Sequence, residues 1–218
     1  VLFDLDGTLL DTLRDIAEAM NSVLERLGHP AHPVEDYKRL TGDGVDALIE
    51  SSFPPGAANP ELIRDAVRML REEYLLTWRR HTRPYPGIPG LLDALTERGV
   101  RMNILSNKSH EFTVKAADTF LGRWTFEQVI GARPDVARKP DPRGALRIAR
   151  LSGLPASDFL YLGDTMTDMQ TAAAAGMFPL GALWGFRTAE ELWSHGAKAV
   201  AARPEEVLAF FDGLPGKE

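Results

Sequence analysis

Cysteine is absent from the 218 residues, which excludes disulfides, thiolate nucleophiles and zinc–thiolate centres. No apolar run approaches the ~20 residues that a membrane-spanning helix needs, and no signal-peptide pattern opens the chain. The first residue stands inside a strand-like run, so further residues are expected upstream. Positive charge is also in deficit: 25 Lys and Arg stand against 31 Asp and Glu, a net charge of −6 with a sequence pI near 5.4. That balance argues against nonspecific binding to nucleic acid or an anionic membrane surface. If the ligand is an anion, the site must make its own positive field from a metal, a few Lys or Arg, and backbone N–H groups. Internal repeats and low-complexity tracts are missing as well. What remains is an ordinary globular composition, 44% hydrophobic and 26% charged, long enough for one large domain or a domain carrying an insert. The default location for such a chain is cytoplasmic.

Strand-like runs followed by helix-like runs recur along most of the sequence, which predicts an α/β fold with a doubly wound parallel sheet covered by helices on both faces. The strand candidates are residues 1–5, 100–105, 126–130, 159–162, 177–183 and 199–201. Helical runs ending in glycine lie between them, at 91–98 before Gly99, 145–151 before Gly153 and 168–175 before Gly176. Residues from about 13 to 82 break the alternation with helices and no convincing strand. Leu13, Ile16, Met20, Val23, Leu24 and Leu27 recur at helical spacing, with Thr12 and Asp15 resembling a capping box at the start. Asn59-Pro60 is a cap and first-turn pair for a second long helix, whose Leu62, Ala66, Leu70, Tyr74 and Trp78 form one packing stripe. The proline-rich run 83–90 reads as a stiff return linker. These boundaries divide the chain into an α/β core at 1–12 and 83–218 and an all-helical insert at 13–82.

The most informative stretch is Val1-Leu2-Phe3-Asp4-Leu5-Asp6-Gly7-Thr8, a hydrophobic strand ending in two acids one residue apart. Residues i and i+2 of a strand share a face, so Asp4 and Asp6 begin on the same side. Two adjacent like charges are unfavourable unless a cation lies between them or one carboxyl stays protonated. Both remedies suit phosphoryl transfer, with one Asp as nucleophile and Mg²⁺ ligand and the other as proton donor and acceptor. An acidic strand-end turn without chemistry is the plain alternative.

Three more segments fall where a doubly wound sheet presents its ligand, beyond the carboxyl ends of strands. Ser106-Asn107-Lys108 offers a hydroxyl and an amide with an expected helix-start geometry suited to a phosphoryl oxygen, or a simple helix cap. Arg138-Lys139-Pro140-Asp141-Pro142 places Lys139 on a loop stiffened by two prolines, a point charge for phosphate or a solvated turn residue. Gly163-Asp164-Thr165-Met166-Thr167-Asp168 sets two acids four apart at a strand-to-helix turn, where Asp168 would also favour the helix dipole.

Taken together, the order and context of these four segments resemble the haloacid dehalogenase superfamily. Its first motif is matched by Asp4 to Thr8, its second by Ser106, its third by Lys139 and its fourth by Gly163 to Asp168. The helical insert resembles a C1-type cap, and Leu9-Leu10-Asp11-Thr12 and Leu183-Trp184-Gly185-Phe186 resemble the phosphoglycolate phosphatase-like branch. The resemblance implies a phosphoric monoester hydrolase in which Asp4 attacks phosphorus and Asp6 first protonates the leaving alkoxide, then deprotonates water. It implies Mg²⁺ held by the Asp4 carboxylate, the Asp6 backbone carbonyl and Asp164, with Asp168 supporting that shell. It assigns phosphate binding to Ser106, Asn107, Lys139 and the backbone N–H near Leu5 and Gly7. The partner would be a small phosphate ester, bound by a monomer or homodimer, with neither nucleic acid nor membrane involved.

Haloacid dehalogenases proper lack an acid at the position of Asp6, and phosphonoacetaldehyde hydrolases typically carry Ala there. A β-phosphoglucomutase-like phosphomutase shares the acid pair, though its cap usually offers an Arg where this chain reads Gly44-Val45-Asp46-Ala47. A non-catalytic regulatory protein that binds a phosphorylated ligand is the alternative of another class, disfavoured by the intact acid pair. Substrate choice is expected to lie in the cap loop Thr41-Gly42-Asp43-Gly44 or in an ordinary inter-helix turn there. Asp43 facing the site would disfavour a carboxylate-bearing substrate and suit a hydroxylated one, such as a sugar phosphate.

Overall fold

The computed structural model describes residues 1–212. By contact density the chain forms two compact units, one made of residues 1–10 with 84 onward and the other of residues 11–83. The first holds a six-stranded sheet ordered β5-β4-β1-β6-β7-β8, with all neighbouring strands parallel. Its strands are β1 (Leu2–Phe3), β4 (Met102–Ser109), β5 (Phe126–Ala132), β6 (Leu160–Gly163), β7 (Phe178–Ala182) and β8 (Ala199–Ala201). Parallel strands need crossovers, and these run through helices Ile88–Glu97, His110–Leu121, Arg143–Ser152, Met166–Ala175 and Ala189–Ser194. Chain order reverses direction at β1, whose neighbours are β4 on one side and β6 on the other. The crevice outside the carboxyl end of such a switch strand is where doubly wound sheets bind ligands.

Because the sheet is covered on both faces, its strands are continuous apolar runs rather than alternating ones. Leu2, Phe3, Ile104, Tyr161, Leu162 and Leu180 are all fully buried. Strand extents differ from the sequence reading: β1 covers two residues, and β4 continues through Ser106 and Lys108 to Ser109. Ser106 and Asn107 therefore do not start a helix, which begins at His110. The ladder with β5 is interrupted instead. Leu105 pairs with Ile130 and Ser109 with Ala132, so residues 106–108 stand opposite Gly131 alone. This bulge turns part of a central strand out of the ladder, a common device beside active sites.

The run 83–90 is not a linker throughout. Arg83–Pro84 (β3) pairs with Leu10–Asp11 (β2) in a two-stranded ladder, and a helix starts at Ile88 with Pro89 in its first turn, where a missing N–H does no harm.

The second unit is helical. Its principal members, Leu13–Arg26 and Pro60–Thr77, pack on each other, burying Leu13, Met20, Val23 and Leu24 from one and Ala66, Leu70 and Tyr74 from the other. Asn59 caps the second as expected, its side chain accepting from the N–H groups of Glu61 and Leu62. The capping box at Thr12 is not formed. Asp15 accepts from the N–H groups of His81 and Thr82 and from Thr82 Oγ1 at 2.7–3.1 Å, because a partly buried return segment offers three donors that outcompete one local contact. Thr41, Gly42, Asp43 and Gly44 lie in this unit, joining Tyr37–Leu40 to Val45–Ser52, and the buried Thr41 hydroxyl donates to Tyr37 O. Among the described residues no helix is long and apolar enough to cross a membrane.

Candidate active site

Asp4, Lys139, Asp164 and Asp168 converge in the α/β unit beyond the ends of β1, β5 and β6. All four are buried, with exposures of 5% or less. Asp4 directly follows β1, its N–H donating to Leu162 O of β6, so the sheet itself fixes the first acid beside the fourth segment. Lys139 arrives on the loop before helix Arg143–Ser152. Its ammonium donates to Asp168 Oδ1 at 2.6 Å and lies 2.8 Å from Asp4 Oδ1. The second contact is a buried ion pair without hydrogen-bond alignment.

Carboxylate oxygens of Asp4, Asp164 and Asp168 all lie within 4.8 Å of one another. Burial pushes the Asp4 carboxyl up to about 7, with the charges of Asp168 and Asp6 adding to the rise and Lys139 opposing it. Asp164 is likewise pushed well up, first by burial and then by Asp4 and Asp168. Burial alone would lower Lys139, but the carboxylates of Asp168 and Asp4 outweigh it and hold the ammonium charged.

The two acids of the fourth segment are held differently. Asp168 has four donors: Lys139 and Tyr161 on Oδ1, and the Thr165 N–H and hydroxyl on Oδ2. With both oxygens so engaged, Asp168 is suited to anchoring Lys139 more than to direct metal ligation. Asp164 accepts from Thr8 Oγ1 at 2.6 Å and from the Phe186 N–H at 2.9 Å. Room for it comes from glycine, since a Cβ on Gly185 would fall 2.3 Å from Asp164 Cβ. Trp184 Nε1 donates to Thr8 O, tying the same loop to the first motif. The run Leu183–Phe186, a mere likeness in the sequence, thus forms one wall of the site.

Asp6 stands apart from the cluster, its carboxylate held by Lys108 Nζ at 3.0 and 3.2 Å. Lys108 carried no assignment from sequence, and no spacing rule would have supplied one, because only the bulge in β4 brings its ammonium to Asp6. Two expected phosphate ligands are otherwise engaged. Asn107 uses both ends of its amide on the Lys139 backbone, accepting from its N–H at 2.9 Å and donating to its carbonyl at 3.1 Å, so it holds the Lys139 loop in place. The Gly7 N–H donates to Leu10 O and closes the turn after the acid pair. Ser106 is buried at the bulge, its hydroxyl accepting from the Lys108 N–H at 3.2 Å.

The donor set tests well for a divalent cation. It is all oxygen, which suits a hard ion such as Mg²⁺, and Asp4 keeps a buried oxygen without a hydrogen bond. Four carboxylates face two ammonium groups, an excess that one divalent ion would neutralise.

Comparison with known proteins agrees with this geometry. A family model described as haloacid dehalogenase-like hydrolase matches residues 1–176. A phosphoglycolate phosphatase of Aquifex aeolicus is 31% identical over 97% of this chain and 96% of its own length. Another from Pseudomonas savastanoi pv. phaseolicola is 30% identical over 95% of this chain and 75% of its own. Among solved structures, a Lactobacillus delbrueckii subsp. bulgaricus protein superposes with a TM-score of 0.89 at 27% identity, covering 97% of each chain. With the motif acids and lysine gathered at the switch point of the sheet, the chain belongs to the haloacid dehalogenase-like hydrolases.

Proposed function

We propose that this chain is a Mg²⁺-dependent phosphatase that hydrolyses a small phosphorylated metabolite, of the phosphoglycolate or sugar-phosphate type, through an aspartyl phosphate on Asp4. The observation that carries this reading is the buried Asp4 carboxylate, ion-paired with the Lys139 ammonium at 2.8 Å and grouped with Asp164 and Asp168. A carboxylate oxygen held against a fixed ammonium is disposed to attack a phosphorus atom that the cation draws in. Asp4 attacks phosphorus as the bond to the bridging oxygen breaks, and Asp6 gives its proton to the departing alkoxide. Asp6 then takes a proton from water as that water attacks the aspartyl phosphate, which frees inorganic phosphate and restores Asp4. Lys139 and the Ser106 hydroxyl hold the transferring phosphoryl, and Asp168 and Asn107 hold Lys139. Asp4, Asp164 and the Asp6 backbone carbonyl would hold Mg²⁺, which when bound supplies charge neutralisation for the phosphoryl group. Catalysis of this kind is mainly alignment and electrostatics, since the transferring group is highly charged. The insert at 13–82 takes the part of the cap, with residues 41–44 reading the leaving group.

The test is phosphate release from nitrophenyl phosphate and 2-phosphoglycolate by the purified chain, with Mg²⁺ and with EDTA. Turnover should require the metal, and a quenched reaction should carry an acid-stable, hydroxylamine-labile phosphate on Asp4. No phosphate release with Mg²⁺ present, or equal release in EDTA, overturns the reading.

A further inference from the structure

Two lysines divide the acids of the first motif between them. Lys139 takes Asp4 and Asp168, while Lys108 takes both oxygens of Asp6 at 3.0 and 3.2 Å. The Lys108 pair is largely withdrawn from water, its side chains 9% and 16% exposed. Its backbone is fixed as well: the N–H donates to Ser106 Oγ and the carbonyl accepts from Thr113 Oγ1. Holding a flexible lysine stem in one place sacrifices rotamer freedom, and here the result is a positive charge fixed beside Asp6.

We propose that Lys108 determines specificity by binding an anionic group on the alcohol half of the substrate, favouring phosphate esters of short hydroxy acids over esters of neutral alcohols. This rests on the function proposed above, because it takes Asp6 as the group that reaches the bridging oxygen. To pass a proton, Asp6 must come within about 2.6–3.2 Å of that oxygen. Lys108 touches the same carboxylate, so its ammonium lies within two hydrogen-bond lengths of the bridging oxygen. In a 2-hydroxy acid ester the carboxylate begins one carbon beyond that oxygen, within the reach of the ammonium. A polyol or sugar ester presents only a neutral hydroxyl there.

Charge points the same way. Asp4, Asp6, Asp164 and Asp168 would repel a second substrate anion, and Lys139 is already committed between Asp4 and Asp168. Lys108 is the cation on the Asp6 side that offsets this repulsion, with Asp6 and the substrate carboxylate sharing one ammonium.

The experiment measures kcat/KM for 2-phosphoglycolate and for ethyl phosphate, an ester of equal carbon number without the carboxylate. It compares wild type, Lys108→Met and Lys108→Arg in the full chain with Mg²⁺. Wild type should prefer phosphoglycolate. Lys108→Met should slow both reactions, since Asp6 loses its partner, but phosphoglycolate should lose a further ~10- to 100-fold, the range of one charge-assisted hydrogen bond, mostly through KM. Lys108→Arg, which keeps the charge, should restore most of the preference. Equal losses on both esters, or a wild type without the preference, overturn the inference, and the wild-type ratio stands even if Lys108→Met does not fold. Failure of wild type on both esters and on nitrophenyl phosphate overturns the proposed function itself.

Discussion

The main chain at Gly7 lies directly against the carboxylate of Asp164: a Cβ built on Gly7 would fall 2.2 Å from Asp164 Oδ2, and its φ is +87°. The turn that follows the first acid pair is thus shaped to admit the acid of the fourth motif. In Gly7→Ala the methyl group displaces Asp164, and the positive φ adds strain of about 1–3 kcal/mol. The variant should melt lower, need more Mg²⁺ for half-maximal turnover and lose at least about tenfold in kcat/KM, roughly the effect of disturbing a metal site's supporting shell. Titration of activity with Mg²⁺ checks this, and an unchanged midpoint would refute it.

Asp4→Asn removes the attacking carboxylate and a charge from a buried cluster. Turnover should vanish while circular dichroism stays native, and relief of like-charge repulsion with Asp164 should leave the melting temperature equal or higher. Near-wild-type activity with Mg²⁺ supplied would eliminate Asp4 as the nucleophile.

Asp6→Asn separates the two proton transfers. Each is typically worth about 10²–10⁴-fold, but a nitrophenyl ester needs little protonation of its leaving group. The variant should release about one equivalent of nitrophenolate in a burst and then turn over very slowly, because hydrolysis of the aspartyl phosphate still wants a base. An alkyl phosphate should give no burst. Stopped-flow traces that are alike on the two substrates, or unslowed, would assign the proton to another group.

The raised Asp4 and Asp164 carboxyls carry a sign for stability. Asp4 rises from 3.8 to about 7 on folding, so the folded state binds protons more tightly than the unfolded one. The stability this contributes is complete below the unfolded value and is lost as pH climbs through about 7. In EDTA the melting temperature should therefore fall between about pH 5 and pH 8, with Mg²⁺ raising it most at the upper end, where protons no longer compete for the oxygens. Scanning calorimetry across that range decides the matter, and a metal effect that does not grow with pH would count against it.

Much of this could be read from the chain. The apolar runs ending in Asp4 and in Asp164 are strands because both faces of a parallel sheet are buried, and that requirement is local in sequence. Asn59 caps its helix because its oxygen needs only the next two N–H groups. Where the sequence misled, a distant partner competed with a local one. Asp15 leaves its capping role for three donors 66 and 67 residues away.

The sequence by itself determined the element types, the order of the motifs and the chemistry of the acids, since strand and helix periodicity and side-chain charge are properties of neighbouring residues. Tertiary structure alone decided which charges meet. Lys108 reaches Asp6 because three residues of β4 stand against one of β5, and Gly185 reaches Asp164 because β7 lies beside β6 in the sheet. Such contacts join residues 21 to 102 positions apart, and ladder register and close packing, which no local pattern encodes, fix them.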